Sequence, residues 1–293
     1  MLELSGEGEQ ARIGYGGDAL NTAIHLARFG LPTSFFTALG TDHFSDKLRA
    51  DWAAEGLDAG LILTDPERQP GLYAISTDER GERSFTYWRN QSAARRMFEL
   101  EGADRAIEKA QRATLLYFSL ISLAILPPRG REELLTLADR VRAGGGKVAF
   151  DGNYRPRLWP DFGEARAIRD AAIARCDIGL PTLDDEQSLS GLFSPEAVTA
   201  HWQSLGAREV VVKMGSEGAF ADGMIVPPPT ALEPIDTTGA GDAFNAGYLA
   251  ARLQGSAPSD AALLGHLLGA WVIMRPGAIP PVYRSAPYDL APP

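Results

Sequence analysis

Residues 236–244 read DTTGAGDAF, and the apolar spacing that follows them sets the reading of the whole chain. Gly239 and Gly241 permit close approach by another molecule, and Ala240 adds only a methyl group. Phe244, Tyr248 and Ala251 then recur at helical spacing, which predicts a helix over Ala240–Leu253. The first turn of a helix presents free N–H groups at the positive end of its dipole. Gly239, Ala240 and Gly241 therefore form a candidate anion hole that needs no side-chain cation. Asp242 falls in that turn, where the dipole favours the carboxylate. An aspartate ionised at pH 7 is expected, placed to take a hydroxyl proton while phosphate charge develops beside it.

Upstream, GGDALNTAIHLARFG (Gly16–Gly30) sets Leu20, Ala23, Ile24 and Ala27 on one helical face and ends on glycine. TSFFTALG reads as a strand, and Asp42–Glu55 as a helix with Phe44, Leu48 and Trp52 aligned. Leu72–Thr77 and Arg83–Trp88 read as a β-hairpin around the polar turn 78–81, with Tyr73, Ile75 and Thr77 on one face and Phe85 and Tyr87 on a face of the partner strand. Beyond residue 100, β and α alternate. TLLYFSL has the look of a buried strand, KVAFD ends in Asp151, and EVVVKMG is followed by an antiparallel GAFAD. Repeated β-α-β predicts a largely parallel sheet covered on both faces, with ligands at the carboxyl ends of its strands. Asp151–Arg157, Lys213–Gly218 and Asp236–Asp242 all fall at such ends, consistent with one cleft.

The chain has 293 residues, 45% of them hydrophobic and 23% charged, with a net charge of −10 at pH 7. That balance suits a globular protein and opposes a general nucleic-acid binder, which needs a basic face. Cys176 is the only cysteine, so no internal disulfide can form, and a small buried hydrophobe is the expected role. No stretch approaches the ~18 consecutive apolar residues of a membrane span, and MLELSGEGEQ has no signal-peptide character. A cytoplasmic location is expected. GYGGDA (Gly14–Ala19) fits a dinucleotide fingerprint by spacing, but SGEGEQARI is too polar to supply the strand that fingerprint needs. GGGKV lacks the spacing of a P-loop. His25, His43, His201 and His266 show no ligand spacing, and a structural role is expected for His25.

Together DTTGAGDAF and GGDALNTAIHLARFG resemble the two signatures of the ribokinase-like carbohydrate kinases, in the right order and at the expected distance. PGLYAISTDERGERSFTYWRN, SLISLAIL, FDGNYRPRLW and LPTLDDEQSL resemble, within that family, the 2-keto-3-deoxygluconate kinases. The resemblance implies a ribokinase-like three-layer α/β/α domain over residues 1–293, with a mostly parallel central sheet. It also implies a small β-sheet lid made by the portion near 1–16 and the hairpin 70–90. ATP as donor, Mg²⁺ as cofactor, a monovalent cation as a further candidate, and a sugar-acid substrate phosphorylated on its 6-hydroxyl all follow from it. A homo-oligomer is the expected assembly.

Carried onto this sequence, the resemblance makes Asp242 the base and Gly239, Ala240 and Gly241 the anion hole. Gly16, Gly17 and Asn21 would face the sugar, with Tyr73, Tyr87 and Arg89 closing from the lid and Arg155 reaching from the main domain. Asn153 would lie near the nucleotide phosphates, and Lys213, Gly215, Ser216 and Gly218 would form the nucleotide loop. The chemistry of the arginines agrees, since a sugar acid needs a cation for its carboxylate and guanidinium offers a bidentate fork. Asp184, Asp185 and Glu186 are the densest acidic group, and Asp185 is the candidate metal ligand. Members of the resembled family carry a full β-strand ahead of the equivalent of MLELSGEGEQ, so either the true start lies upstream or the first strand is shortened, and the 293-residue chain is expected to be less stable than one extended upstream.

Overall fold

The computed structural model describes residues 1–6, 12–77, 83–230 and 232–290. Along the first third run β1 (Leu2–Ser5), β2 (Arg12–Tyr15), α1 (Asp18–Arg28), β3 (Thr33–Ser34), β4 (Thr37–Leu39) and α2 (His43–Ala54). β5 (Leu57–Asp58), β6 (Ile62–Thr64), β7 (Leu72–Thr77) and β8 (Arg83–Trp88) follow. The middle holds α3 (Ala103–Ala110), β9 (Leu115–Ser119), α4 (Leu120–Ile125), α5 (Pro128–Ala143), β10 (Lys147–Asp151), α6 (Phe162–Ile173) and β11 (Ile178–Gly179). The last part comprises α7 (Leu183–Ser190), α8 (Pro195–Leu205), β12 (Glu209–Val210), β13 (Val212–Lys213), β14 (Ala219–Ala221), β15 (Met224–Val226), α9 (Ala240–Leu253) and α10 (Pro258–Ile273).

β9 to β12 form a parallel sheet in the order β12-β11-β10-β9, the expected product of repeated β-α-β. Alternation along β10 shows why it is covered on both sides. Val148 and Phe150 join one apolar cluster with α5 and α6, while Ala149 joins another with α9 and α10. α9 and α10 meet backbone to backbone. A Cβ on Gly247 would lie 2.7 Å from the Leu264 carbonyl oxygen, so this crossing requires glycine.

A second sheet, β2-β1-β7-β8, stands apart in composition and pairing. β7 and β8 form the hairpin with Tyr73 opposite Tyr87 and Ile75 opposite Phe85, and β1 lies parallel to β7. The hairpin's turn residues 78–81 lie outside the described residues.

Several local expectations are corrected. TSFFTALG is two short strands, β3 pairing with β5 and β4 with β6. EVVVKMG also divides, β12 closing the parallel sheet and β13 opening the antiparallel β13-β14-β15. Phe44 turns outward, 42% exposed, because Asp42 caps α2 through the amides of Phe44 and Ser45 and buries Ser45 instead. β2 (Arg12–Tyr15) runs into GYGGDA and contains its first two residues, but it pairs antiparallel with β1 and so lacks the parallel setting of a dinucleotide site. Leu115, Leu116 and Tyr117 of TLLYFSL are only half-buried, whereas Val148 and Ala149, opposite Leu116 and Tyr117 on β10, are buried.

Candidate active site

Four element ends converge where the sheet's carboxyl edge meets two helix starts. β9 delivers Ser119, β10 delivers Asp151, α1 begins at Asp18, and α9 begins at Ala240. Gly239 caps α9 with φ 74° and no side chain bonds the cap, although the Ala240 amide already donates to the Thr237 carbonyl at 3.2 Å. A Cβ on Gly239 would lie 2.4 Å from Ala278 Cβ, so the loop after α10 is pressed against the anion hole. Asp236 anchors that loop by accepting from the Gly277 amide at 2.6 Å.

Asp242 is buried, and its Oδ2 accepts from Asn21 Nδ2 at 2.8 Å. Thr22 Oγ1 donates to the Asp242 carbonyl at 3.2 Å, a second tie between α1 and α9. Contrary to the expectation of a depressed value, burial pushes the Asp242 carboxyl up to about 7, reinforced by the nearby charge of Asp18. Asn21 and Lys213 pull it down, and the helix dipole does not overcome desolvation. Asp18, bonded by Ser119 Oγ, is itself raised by burial. Sequence reasoning passed over Asp18 and Ser119; the signal for the former was an acidic residue opening a helix directly after two glycines.

Gly16, Asn21 and Tyr73 come together beside Asp242. A Cβ on Gly16 would sit 2.4 Å from the Tyr73 hydroxyl and 3.7 Å from Asn21 Oδ1. Tyr73 donates to Glu3 of β1, and its ring lies 6.0 Å from that of Tyr87. Arg89 lies over the Tyr87 ring at 4.2 Å and has no ion-pair partner among the described residues. Burial lowers the Arg89 guanidinium, the Tyr87 and Asp18 charges hold it up, and Arg155 repels it. The two arginines are thus near enough to feel each other's charge. Arg155 donates to the carbonyl of its neighbour Tyr154 at 2.7 Å and lies 3.5 Å from Asp185. Gly17 caps α1 at the same mouth.

Lys213 departs from its expected place in the nucleotide loop. Its ammonium is buried, donating to Asp151 Oδ1 at 2.9 Å and Asn245 Oδ1 at 3.1 Å. Asn245 Nδ2 completes the network to Asp151 Oδ2 at 2.9 Å and the Tyr117 hydroxyl at 3.1 Å. A Cβ on Gly241 would lie 3.9 Å from Lys213 Nζ, so this cation sits beside the first turn of α9. Gly215, Ser216 and Gly218 form the turn between β13 and β14, closed by the Met214 amide donating to the Gly218 carbonyl at 2.8 Å.

Asn153 is buried and its Oδ1 has no hydrogen-bond partner among the described residues. Of the acidic run, Glu186 is committed to the buried Arg169 at 2.8 Å. Asp185 faces Asp151, Lys213 and Arg155, and burial raises it to about 6. No group of three or more His, Cys, Asp or Glu side chains that could hold a metal occurs among the described residues. One or two carboxylates nevertheless fit a Mg²⁺ that takes its other oxygens from water and phosphates. His25 is structural, between the Tyr288 hydroxyl at 2.7 Å and the Ala278 carbonyl at 3.0 Å. Cys176 is buried and its thiol is pushed up to about 12 by burial, which makes it inert.

Residues 2–284 match the pfkB family of carbohydrate kinases. The 2-dehydro-3-deoxygluconokinase of Escherichia coli (strain K12) is 44% identical over 292 residues, covering 96% of this chain and 94% of that protein. A crystal structure of a PfkB protein from Polaromonas sp. JS666 superposes with a TM-score of 0.82 at 30% identity, covering 95% of each chain. The 2-dehydro-3-deoxygluconokinase of Thermotoga maritima gives 0.86 at 20% identity over 99% of this chain and 96% of its own, a likeness of fold. A carboxylate held at an open helix start, at the carboxyl edge of this sheet, is thus accompanied by family-wide sequence similarity: the chain belongs to the pfkB family of carbohydrate kinases.

Proposed function

We propose that the protein transfers the γ-phosphoryl group of ATP to the 6-hydroxyl of 2-keto-3-deoxy-D-gluconate, giving 2-keto-3-deoxy-6-phosphogluconate. The observation that carries this reading is the pairing of one base with two cations. Asp242 lies buried at the start of α9, while Arg89 and Arg155 both feel the charge of Asp18 beside it. A neutral sugar has no use for two guanidinium groups, whereas a sugar carboxylate takes one bidentately.

The substrate enters between the two sheets, with Gly16, Gly17 and Asn21 against its hydroxyls. β7 and β8, carrying Tyr73 and Tyr87 with Arg89 just beyond the end of β8, close over it as a lid and exclude water, which leaves the 6-hydroxyl as the nucleophile within reach. Asn21 holds Asp242 Oδ2, so Oδ1 is left to accept the hydroxyl proton. The Gly239 and Gly241 backbone amides hold the charge of the transferring group, with Lys213 supporting them from below. Asn153, Gly215, Ser216 and Gly218 border the nucleotide. Asp185 would hold Mg²⁺, which when bound offsets phosphate charge. Ile13 and Trp88, 50% and 57% exposed on the small sheet, support association with a second copy through that face.

The test is ADP release with Mg·ATP against 2-keto-3-deoxygluconate, its galactonate epimer, fructose and ribose. Selective turnover of the gluconate compound is expected. Turnover confined to a neutral sugar would leave Asp242 in place and remove the arginines from acid recognition.

A further inference from the structure

Asn21, His25 and Arg28 form one stripe of α1, at i, i+4 and i+7 of the helix. Asn21 holds the Asp242 carboxylate at 2.8 Å. One turn on, His25 is fully buried and bonds the Ala278 carbonyl through Nε2 at 3.0 Å. Arg28 donates to the Pro280 carbonyl at 2.8 Å, while Glu55 takes its Nε and Nη2 at 2.7 and 2.8 Å. The loop held in this way is the one that abuts the start of α9. A Cβ built on Gly239 would lie 2.8 Å from Ala278 Cα and 3.4 Å from the carbonyl oxygen that His25 bonds. Asp236 ties the same loop from its other flank, through the Gly277 amide.

The hydrogen bonds of His25 fix its tautomer. A carbonyl oxygen only accepts, so the ring proton sits on Nε2. Nδ1 is then an acceptor, and the Tyr288 hydroxyl 2.7 Å away donates to it. Arg28 Nη1 donates to that hydroxyl in turn at 3.3 Å. The Tyr288 ring is held edge-on by Phe29 and Trp271, at centroid distances of 5.1 and 5.9 Å. Burial drives the imidazole down to about 3, the Ala278 bond opposing and the Arg28 charge assisting, so the ring stays neutral near pH 7. Packing alone does not account for this arrangement, because a phenyl ring would fill the same volume. The chain Arg28–Tyr288–His25 ends by placing one directed N–H on one backbone carbonyl, beside the cap of α9.

We propose that His25 is a positioning residue for phosphoryl transfer: locked by Tyr288 with its proton on Nε2, it holds the Ala278 carbonyl and so sets the Gly239 and Gly241 amides relative to the Asp242 carboxylate. The inference rests on reading those two amides as the place where phosphoryl charge is held. α1 carries both ends of the relationship. Asn21 fixes the base, and His25 one turn later fixes the loop against which the start of α9 is packed, so one rigid helix imposes a single spacing on both. A small displacement of the amides weakens the transition state more than the bound substrates, because charge develops beside them only as the phosphoryl group moves. His25 contacts the loop and not the reacting groups, so its influence falls on kcat and not on KM.

The experiment compares the unsubstituted protein with His25→Phe, His25→Gln and Tyr288→Phe. kcat and KM are measured with Mg·ATP and 2-keto-3-deoxygluconate, well below every melting temperature. Calorimetry gives affinity and stoichiometry for ADP alone and for ADP with aluminium fluoride, a mimic of the transferring phosphoryl group; the stoichiometry counts folded molecules and separates lost fold from an altered site. His25→Phe keeps the ring volume and loses both bonds. Its kcat per folded molecule should fall about 10–100-fold, with KM for each substrate within about threefold. The aluminium fluoride complex should weaken about tenfold while ADP alone binds as before. Gln places an N–H near the position of Nε2, so His25→Gln should recover most of kcat. Tyr288→Phe frees the tautomer and should lower kcat about three- to tenfold, and this milder change decides the matter if His25→Phe does not fold. A kcat per folded molecule within about twofold of the unsubstituted value in His25→Phe, or in Tyr288→Phe where that alone folds, overturns the inference, as does an equal loss in the Phe and Gln variants. Absence of turnover in the unsubstituted protein would instead remove the proposed function, and this inference with it.

Discussion

Asn21 Nδ2 and Asp242 Oδ2 meet at 2.8 Å across 221 positions of sequence, tying the start of α1 to the start of α9. This bond fixes the carboxylate without neutralising it, which is what a general base requires. Asp242→Asn should therefore lower kcat by about 10²–10⁴-fold, the range for losing such a base, while ATP binding measured by calorimetry stays within a factor of two or so. Near-normal turnover in this variant would remove Asp242 from its role.

The position of Asp242 near 7 gives a pH dependence with a definite sign. kcat/KM should fall below about pH 7 as the carboxylate takes up a proton. The charge of Asp18 is the second cause of the elevation, so Asp18→Asn should move this limb to lower pH whatever it does to the maximum rate. Stability follows the same linkage. An unfolded aspartate titrates near ~4, so between that pH and the native value the folded state binds the extra proton. The contribution is present in full at low pH and is lost as pH rises through about 7. Asp242→Asn should accordingly raise the melting temperature by roughly 2–4 °C at pH 8 and by less at pH 5. Equal shifts at both pH values would contradict a raised carboxyl.

Arg89 and Arg155 differ in how they are held, and their variants should differ too. Arg89 is stacked on Tyr87 and otherwise available, whereas Arg155 is shared with Asp185. Arg89→Ala should raise KM for the sugar acid by about 10–100-fold, the worth of a charged hydrogen-bonded contact, with a smaller effect on any neutral sugar. Arg155→Ala should raise KM for the acid and also alter the Mg²⁺ dependence, because Asp185 loses its cation. Parallel changes for acid and neutral substrates would place the carboxylate elsewhere.

Much of this site was readable because its elements are local. DTTGAGDAF and GGDALNTAIHLARFG each contain a turn, a helix start and a periodic face, so α9 and the body of α1 were legible to within two residues. Side-chain partnerships across the fold were not. Lys213 lies beside the Gly215–Gly218 turn in sequence, yet its ammonium pairs with Asp151 and Asn245, residues 62 and 32 positions away. The protonation of Asp242 was misjudged for a related reason: the dipole is visible in the sequence, while burial and the nearby Asp18 exist only in three dimensions. β3 and β4 were merged because alternation marks a strand but not the kink at Phe35 and Phe36 that divides it.

Gly239 offers a steric test of the anion hole. Its φ of 74° disfavours any side chain, and an added methyl would meet Ala278 at 2.4 Å. Gly239→Ala should push the loop carrying Gly277 and Ala278 away, lowering kcat at least tenfold and the melting temperature by several degrees. Reducing the opposing side chain with Ala278→Gly in the same protein should recover part of the stability. No recovery would show that backbone strain at Gly239, not the contact, carries the cost.

Lys213 separates two accounts of the same residue. If its ammonium served the nucleotide, Lys213→Met would act mainly on KM for ATP. The observed geometry instead makes it the cation that compensates buried Asp151. Removing one partner of a buried pair leaves an uncompensated charge and costs about 3–5 kcal/mol, so Lys213→Met should be strongly destabilised. Asp151→Asn added to it should restore much of that loss, because the residual charge is then gone and Asn245 keeps a neutral partner. In that rescued double variant KM for ATP should change little while kcat remains low, since the support beneath Gly241 is missing. A double variant as unstable as the single one, or an ATP KM raised more than tenfold with kcat retained, would return Lys213 to the nucleotide.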